Sequence, residues 1–322
     1  MKNTRFDVTT IGSTMIRFSV PAGERLETAA VFVVHTAGTE GNTMVALSRM
    51  GLRCGWISRL KNDALGKRIE REIHGFGVDT SRIIWTDKDR NEIFYVEYGE
   101  NPRGIQVIYD RRGSALSRIQ FKEVDTGYLF DTRILHMTGI LPALSPHCRK
   151  TTENAIVAAK DAGVKISFDV NYRSKLWSAK KAAQVLRPLM EMSDILFITR
   201  EDALDLFGLK DQPDQLLHSL YNQFHPEICI VTLGSDGGIA FDGSAIYQSP
   251  TYKVHIIDRL GAGDSFTAGF LCGYLEGSIV AALNYASAMA ALKLGIRGDY
   301  FVSDRREVLQ LIKAGSGREV KR

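Results

Sequence analysis

The stretch of residues 257–270 combines small residues, one acid and an apolar run in an order that could support phosphoryl transfer. Gly261, Ala262 and Gly263 immediately precede Asp264, and the residues that follow predict an apolar helix. Small residues let successive backbone N–H groups converge, and the start of a helix adds partial positive charge. Together they would form an anion hole, with Asp264 placed to accept a proton from a substrate hydroxyl. Taken alone, the pattern is better explained as a helix cap that follows a glycine turn.

The elements that must position these residues follow from the apolar pattern of the chain. Short runs rich in β-branched residues alternate with stretches of helical spacing, which is typical of an α/β fold with a mostly parallel sheet and helices on both faces. Asn62 is the predicted cap of a helix in which Leu65, Ile69 and Ile73 share one face. The predicted strands cover residues 8–11, 56–58, 134–137, 165–168, 195–198 and 228–233, and the predicted helices cover residues 43–50, 65–73, 151–162, 180–192, 214–223 and 279–294.

Two stretches interrupt this alternation because they contain strand-like runs with no helix between them. Residues 17–34 and 93–109 both show alternating patterns joined by short polar segments. We predict that they form a small β-rich lid, assembled from two separate pieces of chain and set on the edge of the main α/β domain. The pattern alone supports two independent surface hairpins about as well.

Composition and charge limit the class of protein and its partners. The 322 residues include 41 basic and 37 acidic ones, so the net charge of +4 gives no sign of nucleic-acid binding, and residues 318–322 are expected to be a solvated tail. The 4 cysteines and 7 histidines show no metal-ligand spacing, which favours buried cysteines in a reducing compartment. No signal-peptide pattern is evident, and the best apolar run, residues 29–34, is far too short to span a membrane. We therefore expect a cytoplasmic protein.

Several segments, taken in order, resemble the motifs of the ribokinase-like (PfkB) carbohydrate kinases. The segment around Asp264 is similar to the C-terminal signature of that family, and the resemblance extends from about residue 7 to residue 298. It implies a ribokinase-like three-layer sandwich with a mostly parallel central sheet. It also implies one domain over residues 1–322, with a β lid inserted at about 13–36 and 92–116. The other segments that carry the resemblance are residues 36–42, 63–80 and 232–238.

Within this family the chain most resembles the 2-keto-3-deoxygluconate kinases. Residues 109–115 are similar to their Tyr-x-Arg-x-Gly-Ser-Ala segment, and residues 169–173 are similar to their Asp-x-Asn-x-Arg motif. A sugar acid carries a carboxylate that Arg111 could bind bidentately while Tyr109 bonds a hydroxyl. Without the family resemblance, the pair Arg111 and Arg112 is better explained as part of an exposed turn.

The resemblance also implies roles for individual residues. Asp264 would deprotonate or orient the accepting hydroxyl, while the amides of Gly261, Ala262 and Gly263 would stabilise charge on the phosphoryl group. ATP and Mg²⁺ are the implied cofactors, with the metal held through the phosphates and near Asp202. The implied substrate-binding residues are Gly38, Asn42, Tyr95, Tyr109, Arg111, Arg173 and Asp264. The implied nucleotide-binding residues are Asn171, Arg173, Thr199, Thr232, Gly234, Asp236, Gly237, Gly261, Gly263 and Asn284.

The chain departs from the family pattern at several positions. Arg259 stands where Thr or Ser usually follows the first Asp of the signature, Asp258, which puts a bound monovalent cation in doubt. Ser13 stands where an acidic residue commonly holds a sugar hydroxyl. The family's Gly-Gly is Ala37-Gly38, and its Asn-x-x-Glu element is present only as residues 199–202. These changes retain the phosphoryl-transfer residues and leave the identity of the substrate open.

The resulting hypothesis is an ATP-dependent kinase that transfers the γ-phosphoryl group to a hydroxyl of 2-keto-3-deoxygluconate. One alternative is a kinase of the same family for another small sugar, such as fructose, or for a nucleoside. The other is a sugar- or nucleotide-binding sensor that kept the fold and lost catalysis, although the intact Gly-Ala-Gly-Asp run argues against it. Because uncovered lid strands invite association, we also expect a homo-oligomer formed through the lid.

Overall fold

The structure is a computed structural model that describes residues 4–99 and 103–315, so the predicted tail at 318–322 lies outside the described residues. Strands and helices alternate along most of the described chain. The strands are β1 (Phe6–Ile11), β2 (Met15–Ser19), β3 (Val33–Ala37), β4 (Cys54–Ile57), β5 (Arg59–Lys61), β6 (Ile84–Thr86), β7 (Ile93–Glu97), β8 (Gln106–Asp110), β9 (Thr132–Thr138), β10 (Lys165–Asp169), β11 (Ile195–Thr199), β12 (Ile228–Thr232), β13 (Gly238–Phe241) and β14 (Ile246–Gln248).

The helices connect these strands and cover both faces of the sheet that the strands build. They are α1 (Thr39–Arg49), α2 (Ala64–Gly75), α3 (Thr126–Phe130), α4 (Ile140–Leu144), α5 (Pro146–Asp161), α6 (Ala179–Glu191), α7 (Arg200–Phe207), α8 (Pro213–Phe224), α9 (Ala262–Leu275), α10 (Ile279–Leu294) and α11 (Arg305–Gly315). In the described part of the chain, none of these helices is long and apolar enough to cross a membrane.

The central sheet has eight strands among the described residues, in the order β14-β13-β12-β11-β10-β9-β1-β4. The pairs from β12 to β4 are all parallel, whereas β13 and β14 join the sheet antiparallel at one edge. The mostly parallel α/β sheet predicted from the apolar pattern is therefore confirmed. Parallel strands place their carboxyl ends at one edge of the sheet, and binding sites of such sheets form there.

Each parallel strand contributes side chains to a separate core on either face of the sheet, because successive residues of a strand point to opposite faces. On β1, Ile11 belongs to a core that includes Ile156 of α5, and Val8 belongs to a core that includes Met44 of α1 and Phe270 of α9. All five of these side chains are buried. The helices and the sheet therefore form three layers. This arrangement fixes α1 and α9 side by side on one face.

The lid is a four-stranded sheet within the described residues, in the order β3-β2-β7-β8. Strands β2 and β3 pair antiparallel, as do β7 and β8, and the parallel pair β2–β7 joins the two halves with Ile16 opposite Ile93. The two stretches that interrupt the helical alternation therefore form one sheet and not two independent hairpins. Met15, Phe94 and Val96 form a small buried core on the face of this sheet toward the main domain.

Some element boundaries differ from those expected. Helix α1 begins at Thr39, before the predicted start at residue 43, and α5 begins at Pro146, before the predicted start at residue 151, with Ser145 as its cap. The cap of α2 is Asp63 and not Asn62, because the Asp63 carboxylate accepts the N–H groups of Leu65 and Gly66. Strands β13 and β14 were not predicted, since each is very short. Helix α11 was not predicted either, although Val308, Leu311 and Ile312 recur at helical spacing.

The capping role of Asp63 leads to a stability prediction. Replacing Asp63 with Ala should lower the free energy of unfolding by about 1 kcal/mol, because two N–H groups at the start of α2 lose their acceptor. Denaturant unfolding monitored by circular dichroism measures this change. The control is Asn62→Ala at the neighbouring exposed position, which should change the free energy by less than about 0.5 kcal/mol. Equal effects of the two substitutions would contradict the assignment.

Candidate active site

The first turn of α9 separates two cavities at the carboxyl ends of the parallel strands. Gly261 and Asp264 line a cavity of about 330 Å³, which we call the lid cavity because lid residues form one wall. Ala262 and Gly263 line a neighbouring cavity of about 370 Å³, which we call the α10 cavity because α10 forms its far wall. Consecutive residues of one turn thus face both cavities, so a group bound in one can be transferred to a molecule bound in the other.

Gly261 has a backbone conformation that only glycine adopts without strain. Its φ is +83°, and a Cβ atom built on it would lie 2.0 Å from the carbonyl oxygen of Asp299. Among the described residues no side chain caps the start of α9, so first-turn N–H groups stay available to an anion. The turn could therefore bind an anion through its uncapped N–H groups, as the sequence predicts, and it packs closely against the Asp299 carbonyl.

Asp264 lies in this first turn and is held by a residue that is distant in sequence. The Asn42 Nδ2 group donates a hydrogen bond of 2.6 Å to Asp264 Oδ2, and Asn42 Oδ1 accepts the N–H of Gly38 at 3.3 Å. Burial raises the pKa of Asp264 to about 6, and the Asn42 hydrogen bond opposes that rise. A carboxylate with a pKa in this range can accept a proton near neutral pH and release it again.

The walls of the lid cavity carry both signs of charge. Arg111 lies on the lid side and is only 8% exposed, with Nη2 donating to Ser13 Oγ at 3.4 Å and Nε 3.5 Å from Glu92 Oε1. Arg173 and Lys175 line the cavity after β10. Of the predicted substrate-binding residues, this cavity is lined by Gly38, Asn42, Tyr109, Arg111, Arg173 and Asp264.

Glu40 is a cavity residue that sequence reasoning missed. Its side chain is 0% exposed, and its carboxylate accepts Ser13 N–H at 3.0 Å and the Thr138 hydroxyl at 2.5 Å. Burial raises the pKa of Glu40 above its ordinary value. A Cβ atom on Gly12 would lie 2.2 Å from the Glu40 side chain, so the glycine makes room for it. An acid inside the first turn of α1 could have been found only if that turn had been predicted as helical.

A group of carboxylates surrounds the turn on the strand side. Burial raises the pKa of Asp169 to about 7 and that of Asp202 to about 6, and the negative charge of Asp264 adds to the effect on Asp169. The positive charge of Arg173 opposes the rise at all three carboxylates. Crowded carboxylates with raised pKa values are typical of a functional site. They also provide the negative charge that a divalent cation favours.

Mg²⁺ fits this site when a nucleotide supplies most of its ligands. In the described part of the chain there is no group of three or more His, Cys, Asp or Glu side chains that could hold a metal alone. Mg²⁺ commonly binds through one or two carboxylates together with phosphate oxygens and water. Asp202, whose Oδ2 accepts the N–H of Tyr172 at 3.2 Å, is the carboxylate that could contribute.

The α10 cavity has the features of a nucleotide site. Tyr252 and Val254 give it apolar walls, and the Ser287 hydroxyl on α10 is buried without a hydrogen-bond partner among the described residues. An unpartnered buried hydroxyl can recognise a polar edge of a flat ligand. Of the residues predicted for nucleotide or phosphoryl binding, the cavity is lined by Thr232, Gly234, Gly237, Ala262 and Gly263.

Other predicted residues lie outside both cavities. Tyr95 points to the outer face of the lid, where its ring stacks on Phe18 at 5.6 Å, because the pleat turns Phe94 and not Tyr95 toward the lid cavity. Thr199 caps α7 by accepting the N–H of Asp202 at 2.9 Å. The side chain of Asn171 donates to Asp169 at 3.2 Å. Asp236 and Asn284, which were predicted to bind the nucleotide, do not line the α10 cavity either. Gly261 and Arg173 were also predicted to bind the nucleotide, but they line the lid cavity.

Comparison with known proteins places the chain among sugar kinases. The family model described as pfkB family carbohydrate kinase matches residues 5–305. The 2-dehydro-3-deoxygalactonokinase of Haloferax volcanii is 36% identical over 310 residues, which cover 96% of this chain and 97% of that protein.

Solved structures extend the similarity to the fold. The 2-dehydro-3-deoxygluconokinase of Thermotoga maritima is 30% identical with a TM-score of 0.91, and the match covers 96% of this chain and 98% of that one. A candidate Ribokinase II of E. coli, solved in complex with ATP and Mg²⁺, is 23% identical with a TM-score of 0.87 over 96% of this chain and 99% of that one. These matches confirm the fold and the resemblance that the sequence motifs indicated.

The position of Asp264 leads to a prediction about turnover. Asp264→Asn should lower kcat by roughly 10² to 10⁴-fold, because the amide cannot accept a proton. Burial disfavours the ionised carboxylate, so the neutral side chain should keep or raise the melting temperature. Coupled measurement of ADP release and a thermal melt test both statements. Turnover at the parent rate would remove Asp264 from the mechanism.

The raised pKa also sets the pH dependence of the parent protein. Since the ionised form of Asp264 is the one that accepts a proton, kcat/KM should fall as the pH drops through about 6. Asp169 and Asp202 titrate in the same range, so the profile reports the group of carboxylates and not one residue. A flat profile between pH 5 and pH 8 would contradict this assignment.

Two glycines of the same turn should respond to alanine in opposite ways. Gly261→Ala should lower stability and turnover together, because its Cβ meets the Asp299 carbonyl and φ is +83°. Gly263→Ala should leave stability unchanged or higher, since nothing lies within 4 Å of its Cβ, yet raise KM for the nucleotide by filling part of the α10 cavity. Melting temperatures and initial rates measured on both variants distinguish these outcomes, and a stable, fully active Gly261→Ala would contradict the strained turn.

Proposed function

The chain belongs to the pfkB family of carbohydrate kinases and is a phosphotransferase with an alcohol group as acceptor, and from this premise we propose its substrates. We propose that it transfers the γ-phosphoryl group of ATP to a hydroxyl of a 2-keto-3-deoxy sugar acid, namely 2-keto-3-deoxygluconate or its galactonate epimer. The observation that carries the proposal is the position of Asp264, held by Asn42 on the turn between the lid cavity and the α10 cavity.

The acceptor hydroxyl would bind in the lid cavity against Asp264. The ionised carboxylate accepts a hydrogen bond from that hydroxyl, which aligns its oxygen with the phosphoryl group and removes the proton as the new bond forms. Asn42 holds the carboxylate in one orientation through the bond of 2.6 Å. Alignment and proton acceptance are the two contributions that phosphoryl transfer needs on the acceptor side.

The moving phosphoryl group would lie over the first turn of α9. Its developing charge would meet the N–H groups of Gly261, Gly263 and Asp264 and the positive end of the helix, whereas the N–H of Ala262 already donates to the Arg259 carbonyl at 3.4 Å. Mg²⁺, when bound through the ATP phosphates, supplies further positive charge next to the carboxylates Asp169 and Asp202. Lid closure over the acceptor excludes water, which would otherwise compete for the phosphoryl group.

Recognition of an acid is the part of the proposal that depends on the lid. Arg111 is held beside Tyr109, with the guanidinium 5.7 Å from that ring, and Arg173 and Lys175 add positive charge on the opposite wall. A carboxylate entering this cavity meets three cations and can accept charge-assisted hydrogen bonds from them, which a neutral ketose cannot do as strongly. The similar Haloferax and Thermotoga proteins are a 2-dehydro-3-deoxygalactonokinase and a 2-dehydro-3-deoxygluconokinase, which supports a deoxy sugar acid as substrate and leaves the epimer open.

We further propose one domain in which residues 13–36 and 92–116 form the lid, and a homo-oligomer that covers the lid's outer surface. Strand β8 is an exposed edge, and Ile108 on it is 55% exposed. An unprotected edge strand with apolar side chains favours pairing with a second copy. The mass of the particle in solution, from light scattering, tests this arrangement.

A substrate panel and one pair of variants test the proposed function. With ATP, the protein should release ADP with both epimeric 2-keto-3-deoxy acids and slowly with fructose, nucleosides or ATP alone. Arg111→Ala should raise KM for the acid by about 10 to 100-fold and leave KM for ATP nearly unchanged, because one charge-assisted hydrogen bond is lost.

The matched control is Arg112→Ala. Arg112 is the neighbouring residue, is exposed and does not line the lid cavity, so its loss should leave both KM values unchanged. If fructose or a nucleoside is phosphorylated faster than the acids, and Arg111→Ala leaves that rate intact, the substrate proposal is wrong. If no sugar supports ADP release while ATP still binds, the protein is a binding protein without catalysis.

A further inference from the structure

A buried group of charges lies directly beneath the turn that leads into α9. Arg17, in the middle of lid strand β2, is 0% exposed. Its Nη2 group donates to Asp258 Oδ2 at 2.9 Å, its Nη1 group donates to Asp299, and its Nε group donates to Ser19 Oγ at 2.8 Å. A lid side chain thus ends between two carboxylates of the main domain.

Both carboxylates are attached to the main chain around the anion hole. Asp258 Oδ1 accepts the N–H of Leu260 at 3.1 Å, and Asp258 Oδ2 accepts the N–H of Gly298 at 3.1 Å. The carbonyl oxygen of Asp299 is the atom that a Cβ on Gly261 would meet at 2.0 Å. The segment that leads into the turn, at Asp258, and the segment that packs against it, at Asp299, are therefore both bound to the guanidinium of Arg17.

The charges in this group balance. Lys293 on α10 is also 0% exposed, its Nζ donates to Ile296 O at 3.0 Å, and its charge acts on Asp258 and Asp299. Two basic side chains thus act on the two carboxylates, and the Tyr98 hydroxyl donates to Asp258 Oδ2 at 2.7 Å. Two carboxylates this close could not both remain ionised in a dry environment without positive charge beside them.

Building on the proposed kinase function, we propose that Arg17 is a positioning residue for phosphoryl transfer. Through Asp258 and Asp299 its guanidinium fixes the turn Leu260–Gly263 in the shape of an anion hole and links that shape to the position of the lid. Arg17 and Lys293 also supply the positive charge that this carboxylate pair requires. The chain needs no free monovalent cation at this place.

Arg17→Ala tests the positioning role. The variant should lose roughly 10²-fold in kcat, comparable to losing one anion-hole donor, with a smaller change in KM for ATP. Methylguanidinium reproduces the guanidinium group that the variant lacks, so it should restore part of kcat to this variant and leave kcat of the parent unchanged. Arg17→Lys keeps the positive charge but cannot bind both carboxylates at once as the guanidinium does, so its kcat should lie between that of Arg17→Ala and that of the parent.

The matched control is Arg25→Ala. Arg25 also sits in the lid and also pairs with a carboxylate, Glu97 at 2.7 Å, but it is half-exposed and does not contact the turn. Its loss should leave kcat unchanged. Parent kcat in a folded Arg17→Ala, or an equal loss of kcat in Arg25→Ala, would overturn the positioning role.

The parent protein provides a test that does not depend on any variant folding. Its melting temperature and kcat should be the same in potassium, sodium and choline chloride at equal ionic strength. A requirement for potassium, or a specific rise in melting temperature with it, would overturn the proposal. The melting experiment needs no sugar, so it tests the cation proposal even if the proposed substrate is wrong. The substrate panel tests the substrate proposal and does not depend on which salt is present.

Discussion

Removing Asp264 from water at the positive end of a helix is the constraint on which the rest of the site depends. Burial alone would keep this carboxyl group protonated, and a protonated group cannot accept the proton of an alcohol. The Asn42 hydrogen bond, the Arg173 charge and the free N–H groups of α9 offset that penalty only in part. The pKa of Asp264 therefore lies close to neutral pH, where its carboxylate can both accept and release a proton.

The same constraint explains two departures from the family pattern. Ser13 replaces an acid, yet Glu40 from α1 reaches the Ser13 N–H and occupies the space over Gly12, so a carboxylate is present from another element. Asp258 is paired with Arg17, and Arg259 faces the α10 cavity instead. Removing one partner of such a buried pair typically costs about 3–5 kcal/mol, so the pairing ties stability to the geometry of the turn.

The sequence was sufficient where the signal is local. The small residues before Asp264 fix a turn by sterics alone, and β-branched runs predicted β9 to β12 almost to the residue. Predictions failed where position depends on tertiary register. Phe94 and Tyr95 are adjacent, and only pairing with β2 decides which one faces the cavity. Likewise Ser287 lines the α10 cavity, whereas Asn284, one helical turn earlier, does not. Because α10 is buried on nearly all sides, its apolar pattern does not show which face meets the cavity.

The two halves of the lid come from distant parts of the chain, and the parallel pair β2–β7 joins them in the middle of the lid sheet. During synthesis β2 and β3 emerge before α1 and α2, and one edge of β2 has no strand to pair with until β7 has been made. Neither half can separate from the other as a hairpin without breaking the backbone hydrogen bonds between β2 and β7. Because β2 and β7 join the two halves, we expect the four strands of the lid to move together as one unit when a ligand binds.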